Sequence, residues 1–478
     1  MGSKIKIVKL GDLYLEPSRN GLTKPKKIRG RGYKFINMGE IFEFDRMLNI
    51  PCDRAPLSKK EAASSLLQRS DLLFARQSLV LSGAGKCSIF LGDNEPVTFE
   101  SHLIRVRLDQ AKVIPEYIYY FFKSPQGRAE MGTIIEQGAG QAGIRGSDLA
   151  GLKVFFPSIL QQQLVTKILS SLDDKIELNR QMNATLESMA QAMFKSWFVD
   201  FDPVIDNALA AGNPIPEPLK AKAEARKALG DKRKPLPQEI QELFPSRFVF
   251  TEELGWIPEG WEVSTIGDQV NTAGGGTPST KDDSYWAGGV HAFCTPKDMS
   301  RLNSIILTDT ERHLTDAGVN KIASGQLEAG VVLMSSRAPI GYLAISNIPV
   351  SVNQGIIAMI PSEKYGSMYL HLWAYFNMEQ ITDRANGSTF MEISKKNFRP
   401  IPFLVPEDKI LKYFNEQSHS IYLKLLSLSE NIVELTNLRD TLLPKLISGQ
   451  LRLPDSLIDK FAEQADSHDS EQSISEAI

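Results

Sequence analysis

The chain has 478 residues and a mass of 53.2 kDa; at roughly 100–200 residues per domain this suggests three domains, within a range of two to four. Hydrophobic residues make up 42% and charged residues 23%, the makeup of a globular cytosolic protein, which excludes a collagen-like, mostly disordered or disulfide-scaffold chain. Lys+Arg number 54 against 57 Asp+Glu, a net charge of −3, so a uniformly basic nucleic-acid coat protein is excluded while one basic face is not.

The stretch from Met1 to Lys6 has no apolar signal-peptide core. No apolar run approaches the ~18–20 residues that span a bilayer, so a soluble, cytoplasmic protein is expected. Up to Phe35 the chain carries Lys4, Lys6, Lys9, Arg19, Lys24, Lys26, Lys27, Arg29, Arg31 and Lys34, opposed only by Asp12 and Glu16. Pro17, Gly21, Pro25, Gly30 and Gly32 make much of this stretch loop. Lys and Arg on a loop suit phosphate contact, and Arg can also pair with guanine O6 and N7. Arg19, Lys24, Lys26, Lys27, Arg29, Arg31 and Lys34 are therefore candidate DNA contacts, against the alternative of a solubilising loop. Arg76 follows a strand-like run, Leu72 to Ala75. Gln137 and Gln141 bound a polar turn, with Arg145 just beyond.

Pro157 opens a long polar–apolar stretch. Leu172, Ile176, Leu186, Ala190, Met193 and Trp197, with Asn179 and Asn183 filling the gap, step by threes and fours and predict a helix over 158–198. The asparagine pair is either a polar patch exposed to solvent or another subunit, or a register device facing an all-apolar partner seam. The stretch 203–253 is punctuated by Pro203, Pro214, Pro216, Pro218, Pro235 and Pro237 and reads as a linker with one short helix. Its basic run Lys232 to Lys234 is a solvated face or a binding patch.

Beyond it, Gly274 to Gly276 form a flexible turn, followed by Thr277, Ser279, Thr280, Lys281, Tyr285 and Trp286, whose hydroxyls and aromatics can meet phosphates and base edges. Arg337 follows the strand-like Val331 to Met334, and Asn353 and Gln354 suit bidentate contact with adenine. Ser388 and Thr389, in a polar turn from Asn386, and Lys395 complete the candidates. For any one of these loop residues a structural turn is an equal reading. Pro406 opens a second heptad run, Ile421, Leu425, Leu428, Ile432, Leu435, Arg439, Leu442 and Leu446, which predicts a helix over 407–446. The end, 451–478, is acidic and expected to be disordered.

These elements repeat. Pro157 and Pro406 stand 249 positions apart, and the same offset carries Ile144 and Leu149 onto Ile393 and Phe398, and Leu172, Ile176, Leu186, Met193 and Trp197 onto Ile421, Leu425, Leu435, Leu442 and Leu446. Near the two starts, Leu10 to Asp12 resemble Ile266 to Asp268 at an offset of 256. The chain reads as globular unit, long helix, globular unit, long helix, an α+β protein with two mixed units. Helices of ~40 residues, or about 60 Å, are too long for one small domain to support, so they should pack on each other.

Catalytic signatures are missing. Gly83 to Cys87 resembles the end of a phosphate loop, but Val80 stands where its first glycine belongs and Cys87 where its Ser/Thr belongs. Asn213 to Pro216 lacks the aromatic of an amine-holding tetrad, no HExxH motif or serine elbow occurs, and Cys52, Cys87 and Cys294 have no metal spacing. The chain reads as a recognition protein, with two competing readings: a stand-alone DNA methyltransferase or nuclease with divergent motifs, or a coiled-coil scaffold with no DNA role.

Four stretches resemble the specificity (S) subunits of type I restriction–modification systems: Phe156 to Asn179, Met189 to Pro203, Leu254 to Trp261, and Leu438 to Gly449. With the repeat they cover the chain to about residue 453. Gln162 stands where the family pattern commonly has Glu. The resemblance implies target-recognition domains at 1–157 and 254–405, each reading half of a split, asymmetric DNA site. It implies that the helices, 158–202 and 406–450, form an antiparallel coiled coil that acts as a ruler. It further implies two modification subunits that carry S-adenosylmethionine and methylate adenine N6, and restriction subunits where present. This chain would hold no cofactor or metal itself. No base-reading residue is carried over, because the recognition domains are the variable part of the family.

Overall fold

The structure is a computed structural model that describes residues 6–138, 140–230, 236–337, 339–387 and 391–451. The chain forms two units, one from the segments up to Lys175 and from Leu435 onward, the other from Ile176–Glu434.

In the first unit a five-stranded sheet has the order Tyr14–Asn20, Leu103–Leu108, Leu72–Ala75, Cys87–Gly92, Arg46–Leu48. A three-stranded sheet, Asp53–Ala55, Tyr33–Ile36, Val97–Phe99, lies beside it in the fold. The strand Leu72–Ala75 is buried along its whole length. Successive side chains on a strand point to opposite faces, so Leu72 and Phe74 enter one core while Leu73 and Ala75 enter a second. This double burial explains the unbroken apolar run in the sequence.

The second unit repeats the plan. Its five-stranded sheet has the order Thr272–Gly274, Ile356–Met359, Val332–Ser336, Ile340–Ser346, Ile306–Leu307, and its three-stranded sheet the order Arg312–Leu314, His291–Cys294, Val350–Val352. Val332 and Met334 enter one core, Val331 and Leu333 another. The two sequence offsets are also met by strand pairing. Lys6 pairs with Phe156 and Lys9 with Lys153; Glu262 pairs with Val405 and Thr265 with Pro402.

The long helices run Ile159–Phe194, continuing as a π-helical turn over Lys195–Val199, and Asp408–Ile447. Within the first unit Val165 and Leu169 share a core with Leu442, Leu443, Leu446 and Ile447. Within the second, Leu186, Met193, Phe194 and Trp197 share one with Ile421, Leu425 and Phe414. Partner numbers fall as positions rise, Asn179 to Asn431, Asn183 to Ser429 and Phe194 to Phe414, so the helices pack antiparallel.

The polar part of the seam departs from expectation. Asn179 and Asn183 are each 1% exposed, not a solvated patch, and the facing helix is not all apolar there. The Asn179 amide donates to Asn431 Oδ1 at 2.8 Å, and Asn183 donates to Ser429 Oγ at 3.2 Å. The Asn179–Asn431 amide pair escapes most of the desolvation penalty, and does so in only one register, whereas the Asn183 Oδ1 atom is buried with no hydrogen-bond partner. Six residues before Asn179, Asp173, rather than half-buried Leu172, takes the buried position and pairs with Arg439 at 2.7 Å, while the Tyr120 hydroxyl donates to it at 2.7 Å. Ile176 and Leu428 are buried, and Ile432 and Leu435 are half-buried.

Where the sequence suggests a linker with one short helix, three helices form: Asp202–Ala211, Lys220–Leu229 and Gln238–Gln241. Among the described residues, the prolines of this stretch fall between the helices or in a first turn, where a missing N–H costs nothing. Val204, Ile240 and Phe244 are buried in the main core of this unit, and Arg226 pairs with both Asp202 and Asp206. Lys232 to Lys234 and the acidic end beyond Leu451 lie outside the described residues. Among the described residues, no helix is long and apolar enough to cross a membrane and no His/Cys/Asp/Glu group could hold a metal ion.

Candidate nucleic-acid interface

Both units build the same polar station at one end of the five-stranded sheet. It starts from a glycine pressed against a neighbouring strand end. A Cβ on Gly21 would lie 2.3 Å from the Phe99 and Glu100 carbonyl oxygens, and one on Gly275 would lie 1.6 Å from the Val352 oxygen. No other residue fits either place, so the chain can cross closely and present a threonine next. The Thr23 hydroxyl donates to Ser101 Oγ at 3.0 Å; the Thr277 hydroxyl donates to Gln354 Oε1 at 2.5 Å.

The second wall of each station is a short hairpin. In the first unit Glu136–Gly138 pairs with Gln141–Gly143, which pairs with Gln77–Ser78. The hairpin closes a cleft of about 300 Å³ whose lining includes Arg76, Gln77, Gln137, Gln141 and Arg145. Four of the sequence candidates thus come together. Gln137 and Gln141 are exposed, and Arg145 reaches Glu136 at 2.7 Å while remaining 68% exposed, so this ion pair is free to exchange for another acceptor. In the second unit Arg337 bridges to Glu392, which also pairs with Asn386, and the Arg337 guanidinium lies 3.6 Å from the Glu392 carboxylate. Asn353 accepts from the Gly355 amide at 2.9 Å, and Lys395 sits over Gly274. Arg337, Asn353, Gln354, Thr277 and Lys395 are thus neighbours; Ser388 and Thr389 lie outside the described residues.

Backbone pairing refines the match between the arginines. The Ile144 amide donates to the Arg76 carbonyl, and the Ile393 amide donates to the Ser336 carbonyl. Arg76 therefore corresponds to Ser336, and Arg337 to Gln77; the cation moves by one residue between units.

Further along the second unit, Ser279, Thr280 and Lys281 are exposed. Trp286 is an anchor of this loop: its indole N–H donates to the Ser279 carbonyl at 2.9 Å, its ring packs edge-on to Phe293, and the Arg312 guanidinium lies 3.5 Å over it. The Lys321 ammonium lies 5.8 Å from the Tyr285 ring.

The basic N-terminal stretch splits in two. Lys24 pairs with Glu61 at 2.8 Å, and that ammonium together with the Ser58 cap holds the Glu61 carboxyl well below its usual range. Arg29 donates to the Lys24 carbonyl and to Asn37, and lies 4.8 Å over the Phe35 ring. Lys34 pairs with Asp93 at 2.6 Å. These three hold the loop together. Among the described residues, Lys26, Lys27 and Arg31 are exposed with no side-chain ion pair or hydrogen bond, and Arg19, also exposed, donates to the Ser64 carbonyl. Sequence reading did not pick out Gln77, Thr23 or Ser101; the offset of 256 carries Thr277 back onto Gly21, so the repeat alone did not point to Thr23.

A family model described as the type I restriction modification DNA specificity domain matches the chain at residues 3–188 and again at 258–437. Relatives include the specificity subunit of the HindI enzyme of Haemophilus influenzae, 28% identical over 443 residues, 87% of this chain and 94% of the relative. The MjaIX specificity subunit of Methanocaldococcus jannaschii is 36% identical over 173 residues, 34% of this chain and 40% of the relative. The crystal structure of a type I restriction–modification S subunit from M. genitalium shares the fold, with a TM-score of 0.51 at 15% identity over 94% of this chain and 97% of that one.

Proposed function

The chain belongs to the type I restriction–modification DNA specificity family, as a recognition subunit and not a catalyst, and from that premise we propose that it reads an asymmetric, two-part DNA target. Residues 1–157 and 254–405 are the two recognition domains, one for each half. The observation that carries this reading is a single sheet plan built twice, with unlike polar groups at the same station. Identical frames offer a duplex the same approach; unlike side chains give the halves different sequences.

In the first domain Arg76, Gln137, Gln141 and Arg145 read base edges, and Arg19, Lys26, Lys27 and Arg31 meet phosphates. Arginine suits guanine and the glutamine amides suit adenine. In the second, Arg337, Asn353, Gln354 and Thr277 read bases, with Ser279, Thr280, Lys281 and Lys395 on the backbone. The seam formed by Ile176, Leu186, Met193, Trp197, Ile421, Leu425, Leu428, Ile432, Leu435, Leu442 and Leu446 sets the number of unread base pairs between halves. Two modification subunits supply S-adenosylmethionine and adenine-N6 transfer, restriction subunits join where present, and the complex works in the cytoplasm, where its DNA is.

Methylation mapping of host DNA with and without this gene tests the reading. One split, asymmetric motif should vanish with the gene. The purified chain alone should transfer no methyl group from S-adenosylmethionine to DNA; turnover by it would restore the stand-alone enzyme.

A further inference from the structure

Beside the first domain's cleft, three consecutive large aliphatic side chains stand in water: Leu79 is 82% exposed, Val80 59% and Leu81 54%. Single exposed apolar residues are ordinary, but a run of three on one turn has no structural use on a soluble surface. Nor is this turn loose. Its start, Gln77–Ser78, is paired to the hairpin, and the Val80 amide donates to Ser78 Oγ at 3.2 Å. The Gly83 amide donates to the Val80 carbonyl at 3.0 Å, and Gly83 is buried so tightly that a Cβ would lie 2.2 Å from Ser78 Oγ. The turn Leu81–Gly83 also packs against Gln141–Gly143, a strand that lines the cleft. A fixed apolar tip thus stands at the rim of a polar cleft.

Among the described residues, the second domain has no such tip. There the chain takes nine steps from Met334 to its strand partner Leu343, whereas in the first it takes thirteen from Phe74 to its partner Cys87. Phe74 and Met334 are equivalent, since each pairs with the matching residue of the neighbouring strand, Ile104 and Ile357. The longer connection of the first domain is the one that carries the apolar run.

We propose that Leu79, Val80 and Leu81 are a wedge that enters a base step of the first half-site or its flank, with Leu79 leading. The inference rests on the reading of this chain as a DNA-recognition subunit and adds a mode of contact to it. Duplex DNA presents phosphates and polar base edges outward; its large apolar surfaces are the faces of the stacked bases. An aliphatic side chain reaches those faces by parting a step, and flexible pyrimidine–purine steps part most easily. The wedge therefore adds sequence preference at a step that no hydrogen bond reads, and it does so on one half-site only.

The test uses the assembled complex with modification subunits and duplexes bearing the mapped target, with 2-aminopurine placed at one position at a time through the first half-site and its flanks. The parent should brighten the probe at one step, and Leu79→Ser should not. The triple variant Leu79→Ser/Val80→Ser/Leu81→Ser should assemble normally, keep its salt dependence and bind matched DNA about tenfold more weakly. Replacing thymines by uracil should leave the parent's affinity unchanged. The wedge is overturned if no position brightens, if brightening survives in the triple variant, or if uracil reproduces the loss, which would mean contact with thymine methyls. It is also overturned if the triple variant sheds modification subunits, because the tip then covers protein. A parent complex that binds no duplex at all instead removes the recognition reading on which the wedge stands.

Discussion

On the strand Leu103–Leu108 the first recognition domain carries Arg105 and Arg107; at the equivalent places the second carries Ala358 and Ile360. Arg107 grips fully buried Asp71 at 2.7 Å and Glu16 at 2.8 Å, and Arg105 reaches the same Glu16 at 2.7 Å. Asp71 corresponds to Val331, 2% exposed in an apolar core. One frame thus holds an ionic staple in one copy and hydrocarbon in the other. The frame is specified by strand pairing and by which faces are buried, and either chemistry serves provided every charge finds a partner. The loops at the sheet end are freer still, and on the proposed function they are where one plan comes to read two different sequences.

The largest expected effect breaks this comparison at its ionic side. Arg107→Met leaves Asp71 buried without its main partner and should cost the first domain about 3–5 kcal/mol. In calorimetry of the full chain the transition of that domain should fall while the other holds. A loss under about 1 kcal/mol would mean that the staple contributes little.

Acid should weaken the second domain instead. His371 is buried in the helix Ser367–Phe376 with neither ring nitrogen hydrogen-bonded, and burial pushes its pKa down to about 4. The helix Pro115–Lys123 of the first domain contains no histidine. The folded pKa lies below the unfolded value near 6.5, so between pH 6.5 and 4 the unfolded chain binds a proton that the folded chain does not. Stability from this group is full above pH 6.5 and declines as pH falls, by about 2 kcal/mol at pH 5. His371→Phe should flatten that slope; an unchanged slope assigns it to other groups.

Arg145→Ala and Arg337→Ala sharpen the comparison at the stations. Each should cost about 1–3 kcal/mol on matched DNA and relax one base of one half-site, the first domain's or the second's. Relaxation of both halves by one substitution would contradict the division of labour. The smallest effect is on the basic loop. Lys26→Gln/Lys27→Gln should weaken matched and mismatched DNA alike and make the slope of log K against log[salt] shallower by roughly two units. Lys24→Gln should instead loosen the loop, since its ammonium is already held by Glu61. An unchanged slope for the double variant would return Lys26 and Lys27 to the solvent.

Much of this was legible in the chain. The long helices end within a few residues of the heptad limits, and the doubly buried strands Leu72–Ala75 and Val332–Ser336 announce themselves as unbroken apolar runs. Arg76, Gln137, Gln141 and Arg145 could be nominated from loop chemistry, and they meet in one cleft. Charge counting was a poorer guide: Lys24, Arg29 and Lys34 looked as free as Lys26 and Lys27, yet they are engaged by Glu61, Asn37 and Asp93. Likewise the proline-rich stretch after Asp202 hid three packed helices, because prolines mark where helices start and stop but not whether they dock.

The sequence by itself determined periodicity and repetition, and hence the helices, the strands and the doubled plan. Burial patterns are properties of neighbouring residues, and a repeat needs only its two copies to be compared. Only the tertiary structure decided which polar groups are used up internally and which remain exposed. The Asn179 amide has its partner in Asn431, and the Asp173 carboxylate has its partner in Arg439. A polar side chain costs free energy when buried alone and little when paired, and its partner can lie hundreds of residues away along the chain.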